Sequence, residues 1–179
     1  NGLQIDQARF RTEIGQLVAA AKKAGASGAP PPAGVPVTDA ASAEEDMRRT
    51  LGTAPEFLRR FPPEGLAGAW TEFKAVQLNP HTALPGKVKE LIGLAVAAQI
   101  PCQYCIIAHT EFARLNGATD REIAEAVGMA SLTRNLSTVL NGMQTDEAAF
   151  RQDIGRVVAG ARKASAANAA PRHQGRAAR

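Results

Sequence analysis

The sequence predicts an all-α fold, and three observations carry that prediction. Apolar residues recur three and four positions apart along most of the chain. Ser/Thr-x-x-Glu patterns, which mark helix starts, occur repeatedly. Alternating stretches long enough for a strand are missing, and aromatic residues make up only 4% of a chain that is 45% hydrophobic. The 179 residues suffice for one domain with a substantial core plus tails. The longest uncharged run, 91–108, is interrupted by Gly93, Gln99, Pro101, Gln103 and Tyr104, so no membrane span is expected. The start carries no secretory signal pattern, which predicts a cytoplasmic protein.

In chain order, Phe10, Ile14, Leu17, Val18 and Ala21 form one apolar helical face. Residues 25–41 read as a Pro/Gly-rich linker, because "GASGAPPPAGVP" cannot support a helix. Ser42 with Glu45 predicts a capping box that opens a short helix. Thr53 with Glu56 predicts another, with Pro55 in its first turn. A helix after Pro63 carries Leu66, Trp70, Phe73 and Val76, and "LNPHTALPG" is a loop. The helix from Pro85 to about Gln99 is apolar nearly all round after Glu90, which predicts that it is buried. Pro101 restarts the chain, and the next helix runs from Cys102 to Leu115, stopping at Asn116-Gly117. Thr119 and Glu122 box the start of a helix that continues to Leu140, and Thr145 opens the last one.

Residues 1–24 match 141–164 without gaps, including the pairs Asp6/Asp146, Phe10/Phe150, Arg11/Arg151, Ile14/Ile154 and Gly15/Gly155. Glycine and polar positions match as well as apolar ones, so the repeat predicts two helices packed at equivalent places, in the subunit or across an oligomer interface, with no chemistry in either. The organisation is then an N-terminal helix (1–24), the linker (25–41), a helical domain (42–164) and a basic tail (165–179). The net charge of +4 resides at that end, where six bases and no acid follow Asp153. Without aromatic residues among them, these bases predict a solvated tail with neither nucleic-acid nor membrane contact.

Both cysteines lie in "ELIGLAVAAQIPCQYCIIAH", residues 90–109. Two thiols cannot form a four-thiolate zinc site. A c-type haem attachment needs His where Ile106 stands, and the strand context of a thioredoxin motif is absent. Three readings remain: structural thiols in a non-catalytic helical scaffold, a thiolate/imidazole metal site, and a helical redox dithiol. Geometry favours the dithiol. Cys102 stands at a helix start, where unpaired N–H groups stabilise a thiolate. Cys105 lies three residues on, within disulfide reach. His109 stacks one turn above Cys105 and can act as its base. Glu90, an isolated carboxylate on a buried helix, needs a partner and can accept the proton that His109 relays.

The pattern Glu90, Cys102-Gln-Tyr-Cys105, His109 resembles the alkylhydroperoxidase D family, within the carboxymuconolactone decarboxylase superfamily. The similarity runs from about Phe57 to Leu140 and includes "GLAGAWTEFKAVQ" and "DREIAEAVGMAS". It implies an all-α bundle assembled as a homo-oligomer, trimeric or hexameric, with the active site near a subunit interface. It also implies thiol peroxidase or disulfide oxidoreductase chemistry without a cofactor or metal. The substrate would be a hydroperoxide, and the reductant a dithiol or a protein of lipoyl or peroxiredoxin type. By position, Cys105 would attack, activated by His109 with Glu90 behind it, and Cys102 would close a Cys102–Cys105 disulfide. The family's best-known branch has a histidine before the second cysteine, where this chain has Tyr104. The superfamily's decarboxylase branch lacks the cysteine pair, which argues against lactone decarboxylation.

Overall fold

The structure, a computed structural model, describes residues 6–27 and 36–169. Most of the Pro/Gly-rich linker and of the basic tail lie outside the described residues. Those described form eight α-helices and a π-helical turn, with no strand among them. The helices are α1 (Gln7–Ser27), α2 (Ala40–Leu51), α3 (Glu56–Arg59), α4 (Pro63–Phe73), α5 (Gly86–Gln99), α6 (Gln103–Leu115), α7 (Asp120–Gly142) and α8 (Glu147–Ala169). The π-helical turn, Lys74–Leu78, follows α4 directly. None of the described helices is long and apolar enough to cross a membrane.

Two compact units divide between Arg134 and Asn135. The first is built on α5 against α6, with α1 also packed on α6 and α2 on α4. One apolar cluster joins Ala43 and Met47 of α2 to Leu66 and Trp70 of α4. A second joins Phe10, Ile14 and Leu17 of α1 to Phe57 and to Tyr104, Ile107, Ala108 and Phe112. Phe10 makes edge-on ring contacts with Phe57 and Tyr104, at centroid distances of 5.1 and 5.2 Å. Such contacts add to the gain from burial and fix how the helix sits. The second unit contains α8.

Helix starts show where local signals compete. Asp39, not Ser42, caps α2: its carboxylate accepts from Ser42 N–H at 2.8 Å, and Ser42 Oγ accepts from Asp39 N–H at 3.0 Å. The expected Ser42/Glu45 box gives way to a better acceptor three residues upstream. The Thr53/Glu56 box does not form either. Pro55 occupies the cap of α3, and Glu56 instead pairs with Arg9 and Arg60. Thr119/Glu122 does close as a box, with Glu122 Oε2 accepting from Thr119 N–H at 2.8 Å. Hydrogen bonds from Lys87 and Thr119 hold the Glu122 carboxyl down at about 2. At the last helix, Asp146 rather than Thr145 supplies the cap, accepting from Ala149 N–H at 2.7 Å. Asp6 does the same for Arg9 N–H at 2.8 Å, so the two repeats share their cap as well as their sequence.

Their surroundings differ, however. Phe10 and Ile14 are 3% and 0% exposed, whereas their counterparts Phe150 and Ile154 are 38% and 47% exposed. Within the single chain the two helices are thus covered to different degrees. Helix α5 is another departure. It buries Glu90, Leu94 and Ala97 but leaves Ile92 and Val96 exposed, because α6 covers only one of its faces. Val76 belongs to the π-helical turn and is exposed, so it does not extend the buried face of α4.

Asp46 is the one buried charge in the first cluster's surroundings that the sequence reading did not single out. It accepts from Trp70 Nε1 at 2.8 Å and pairs with the Lys74 ammonium. Burial pushes its carboxyl up, but the hydrogen bonds from Lys74 and Trp70 outweigh this and leave it below the usual value. The stabilisation is therefore present above the unfolded carboxyl's value, about pH 4, and is lost as pH falls through the folded one. Asp46→Asn should lower the unfolding free energy at pH 7 by about 2 kcal/mol and flatten the acid limb of stability. Urea melts of both proteins between pH 3 and pH 7 check this.

Candidate active site

Helix α5 presents Glu90 and Gly93 on one face, since residues three apart are neighbours on a helix. Helix α6 lies against that face and carries both cysteines and His109. Between the helices the chain turns sharply: Ile100 closes α5, and Cys102 N–H reaches back to the Ala97 carbonyl at 3.0 Å. Cys102 thereby becomes the N-cap of α6. Its sulfur accepts from Cys105 N–H at 3.2 Å, as a Ser or Asp side chain does at a helix start. The two sulfurs are paired as a disulfide, and their Cα atoms are 5.3 Å apart. One helical turn suffices for this, because the usual Cα separation across a disulfide is about 4.4–6.8 Å.

His109 Nδ1 lies 2.7 Å from Glu90 Oε2. Glu90 is only 5% exposed, so the imidazole is the partner that an isolated buried carboxylate requires. Facing a carboxylate, Nδ1 is the ring nitrogen that donates, and in the neutral imidazole this leaves Nε2 as the acceptor. The imidazole rests on the α5 backbone. A Cβ built on Gly93 would lie 2.6 Å from both ring nitrogens, closer than such atoms approach. Gly93 is thus the residue that admits the ring.

Gln77 completes the arrangement. Its side-chain N–H donates to Glu90 Oε1 at 2.7 Å, so the carboxylate is held on both oxygens. Gln77 comes from the π-helical turn, whose end is tied down by Lys89: Nζ donates to the Val76 and Asn79 carbonyls at 2.6 and 2.8 Å. Sequence reading missed Gln77, and the i→i+5 winding explains why. A 3.6-residue period misplaces side chains in a π turn, a feature often found at functional sites.

All four expected site residues therefore lie along the α5–α6 contact, and Cys105 and His109 line the same two hollows. One is open and bordered by Val76, Ile92, Val96 and Ile100. The other is roofed by Phe10, with Tyr104 in its wall. His81 is exposed on the loop after the π turn, away from these hollows. Among the described residues, no group of three or more His, Cys, Asp or Glu side chains is arranged to hold a metal ion.

The profile of the Carboxymuconolactone decarboxylase family matches residues 64–171, well over half the chain. The chain belongs to this family. The matched stretch contains α4 through α8 and hence Glu90, both cysteines and His109, while α1, α2 and α3 precede it. The chain is also similar to "Uncharacterized protein 4 in cox locus" from Paracoccus denitrificans, with 42% identity over 52 residues. That alignment covers 29% of this chain, which spans about half, 47%, of the relative's length. No solved structure gives a significant match. Membership of the carboxymuconolactone decarboxylase family agrees with the all-α architecture.

Proposed function

We propose that the chain is a thiol-dependent hydroperoxidase that cycles between a Cys102/Cys105 dithiol and their disulfide. The observation that carries this reading is the pairing of these sulfurs on the helix that also bears the Glu90-bound His109. In the reduced protein Cys105 loses its proton to His109 Nε2, with Glu90 stabilising the imidazolium that results. The thiolate attacks the terminal peroxide oxygen and the O–O bond breaks. Cys105 becomes a sulfenic acid, and the departing alkoxide takes the proton from His109. The Cys102 sulfur then attacks Cys105, forming the disulfide and releasing water. An external dithiol restores both thiols by two exchanges and leaves as its own disulfide.

Cys102 suits the resolving role because the amide at the helix start that its sulfur accepts from also stabilises it as a thiolate. The reductant on this reading is a small dithiol or a lipoyl- or peroxiredoxin-type protein. Assembly as a homo-oligomer, trimeric or hexameric, is supported by the apolar surface left on α5, where Ile92, Val96 and Ile100 border the open hollow. The scaffold reading leaves the imidazole held by Glu90 without a role.

Cys102→Ser separates the two chemical steps. The variant should consume one equivalent of peroxide and stop, with the sulfenic acid on Cys105 captured by dimedone and located by mass spectrometry. Dimedone on neither residue, with no peroxide consumed, would reject the hydroperoxidase reading.

A further inference from the structure

Glu90 has two oxygens to satisfy, and a relay through His109 accounts for one of them. Oε2 faces the imidazole at 2.7 Å, while Oε1 accepts from the Gln77 amide at 2.7 Å. The carboxylate is buried, so bulk water replaces neither partner. Gln77 borders both hollows lined by Cys105 and His109, and also a separate cavity of about 230 Å³ that Glu90 lines on its other side. No other described residue is common to these three spaces. The placement of Gln77 is fixed from α5: Lys89, next to Glu90 in sequence, holds the Val76 and Asn79 carbonyls on either side of it. The helix that carries the carboxylate therefore also anchors the turn that supplies its second donor. The charged or titratable side chains around the pair are Lys89 of α5, bonded to those carbonyls, and Tyr104 and Cys105 of α6. Lys74 of the π-helical turn is taken up by Asp46, and α1 contributes only Phe10.

We propose that Gln77 is a positioning residue that keeps Glu90 ionised and aimed at His109, and that limits how tightly this pair holds a proton. The inference rests on the hydroperoxidase reading only for the reaction that is served, because both hydrogen bonds are present whatever the chain consumes. The sign follows from charge. With a neutral imidazole the pair carries one negative charge, and with a second ring proton it carries none. A donor on Oε1 stabilises the charged form more, so it lowers the proton affinity of the pair. A base that takes a proton from Cys105 and returns it to a departing oxygen needs such moderation, since a proton held too tightly is not released. A cation in the place of Gln77 would go too far, cancelling the carboxylate charge that stabilises the imidazolium. A neutral amide moderates that charge without removing it.

The test uses the full chain in its oxidised form, where neither cysteine titrates and the His109 ring reports on the pair alone. Nuclear magnetic resonance follows the pH at which the ring takes up its second proton in wild type, Gln77→Met and Gln77→Lys. Methionine keeps the length of glutamine and removes the donor. Proton affinity should then rise about ten-fold, which moves the midpoint up by about one pH unit. Lysine places a positive charge beside Oε1, so its midpoint should fall below that of wild type. Loosened packing cannot produce shifts of opposite sign, because a ring freed into solvent would move in the same direction in both variants. Should the methionine variant fail to fold, Gln77→Lys against wild type decides the matter by the same sign. In peroxide turnover the methionine variant should lose about ten-fold in kcat. Midpoints that stay at the wild-type value, or that shift together, would overturn the role of Gln77 even if peroxide is consumed. Opposite shifts in a protein that consumes no peroxide would uphold that role and remove the hydroperoxidase reading.

Discussion

Cys105→Ser should reduce dithiol-coupled peroxide consumption to the uncatalysed rate while leaving the fold intact. The expectation follows from the division of labour along α6. Cys105 lines both hollows with His109, so it is the sulfur a peroxide can meet beside a proton acceptor. A serine hydroxyl at neutral pH is neither ionised nor nucleophilic enough towards a peroxide oxygen to substitute for a thiolate. The structural cost is small, because the change replaces sulfur by the smaller oxygen at a half-buried position and leaves the cap at Cys102 in place. Coupled assays on wild type and variant, alongside their thermal melts, distinguish loss of chemistry from loss of structure. Equal turnover in the two proteins would place the reaction elsewhere.

Gly93→Ala is expected to slow turnover by about 10–100-fold in a protein that still folds. The added methyl has no room while His109 keeps its place, because the imidazole nitrogens would lie 2.6 Å from it. The ring must swing away, which lengthens the 2.7 Å contact with Glu90 and moves Nε2 from its working position. Displacing a reacting group by about 1 Å costs on the order of 10²-fold in rate. Two effects on stability oppose each other: alanine favours a helix interior over glycine by about 1 kcal/mol, and weakening the pairing of the buried Glu90 costs about 1–3 kcal/mol. The diagnostic signature is therefore a slower, alkaline-shifted iodoacetamide labelling profile of reduced Cys105 in a protein that keeps its helical content and melts cooperatively. An unchanged labelling profile would show that the ring tolerates the methyl and that Gly93 has no positioning role.

How much of this was legible in the sequence depends on whether a feature is local. Cys102, Cys105 and His109 share one helix, so their spacing alone puts them within a turn of one another. Glu90 is legible as the only charge on a stretch that otherwise has no use for one. Its contact with His109 needs the Ile100–Cys102 reversal that folds α5 back along α6. Gln77 is illegible because its position depends on a π turn. Gly93 looks like a packing glycine until the imidazole is seen resting on it. At two helix starts the motif reading chose the wrong acceptor because an Asp stood just before it or just after it, Asp39 and Asp146. The apolar composition of α5 implied complete burial, but periodicity cannot say how many faces have neighbours within the chain. The same limit applies to the repeat, where a gapless match predicts identical caps but not identical surroundings.

The most direct measurement is a single turnover. Fully reduced protein is mixed with one equivalent of hydroperoxide, and free thiols, residual peroxide and the Cys102–Cys105 peptide are quantified from the same quenched samples. The account predicts that two thiols disappear for each peroxide consumed and that all of the oxidised protein carries the Cys102–Cys105 disulfide. Peroxide that persists beside two unreacted thiols would contradict it.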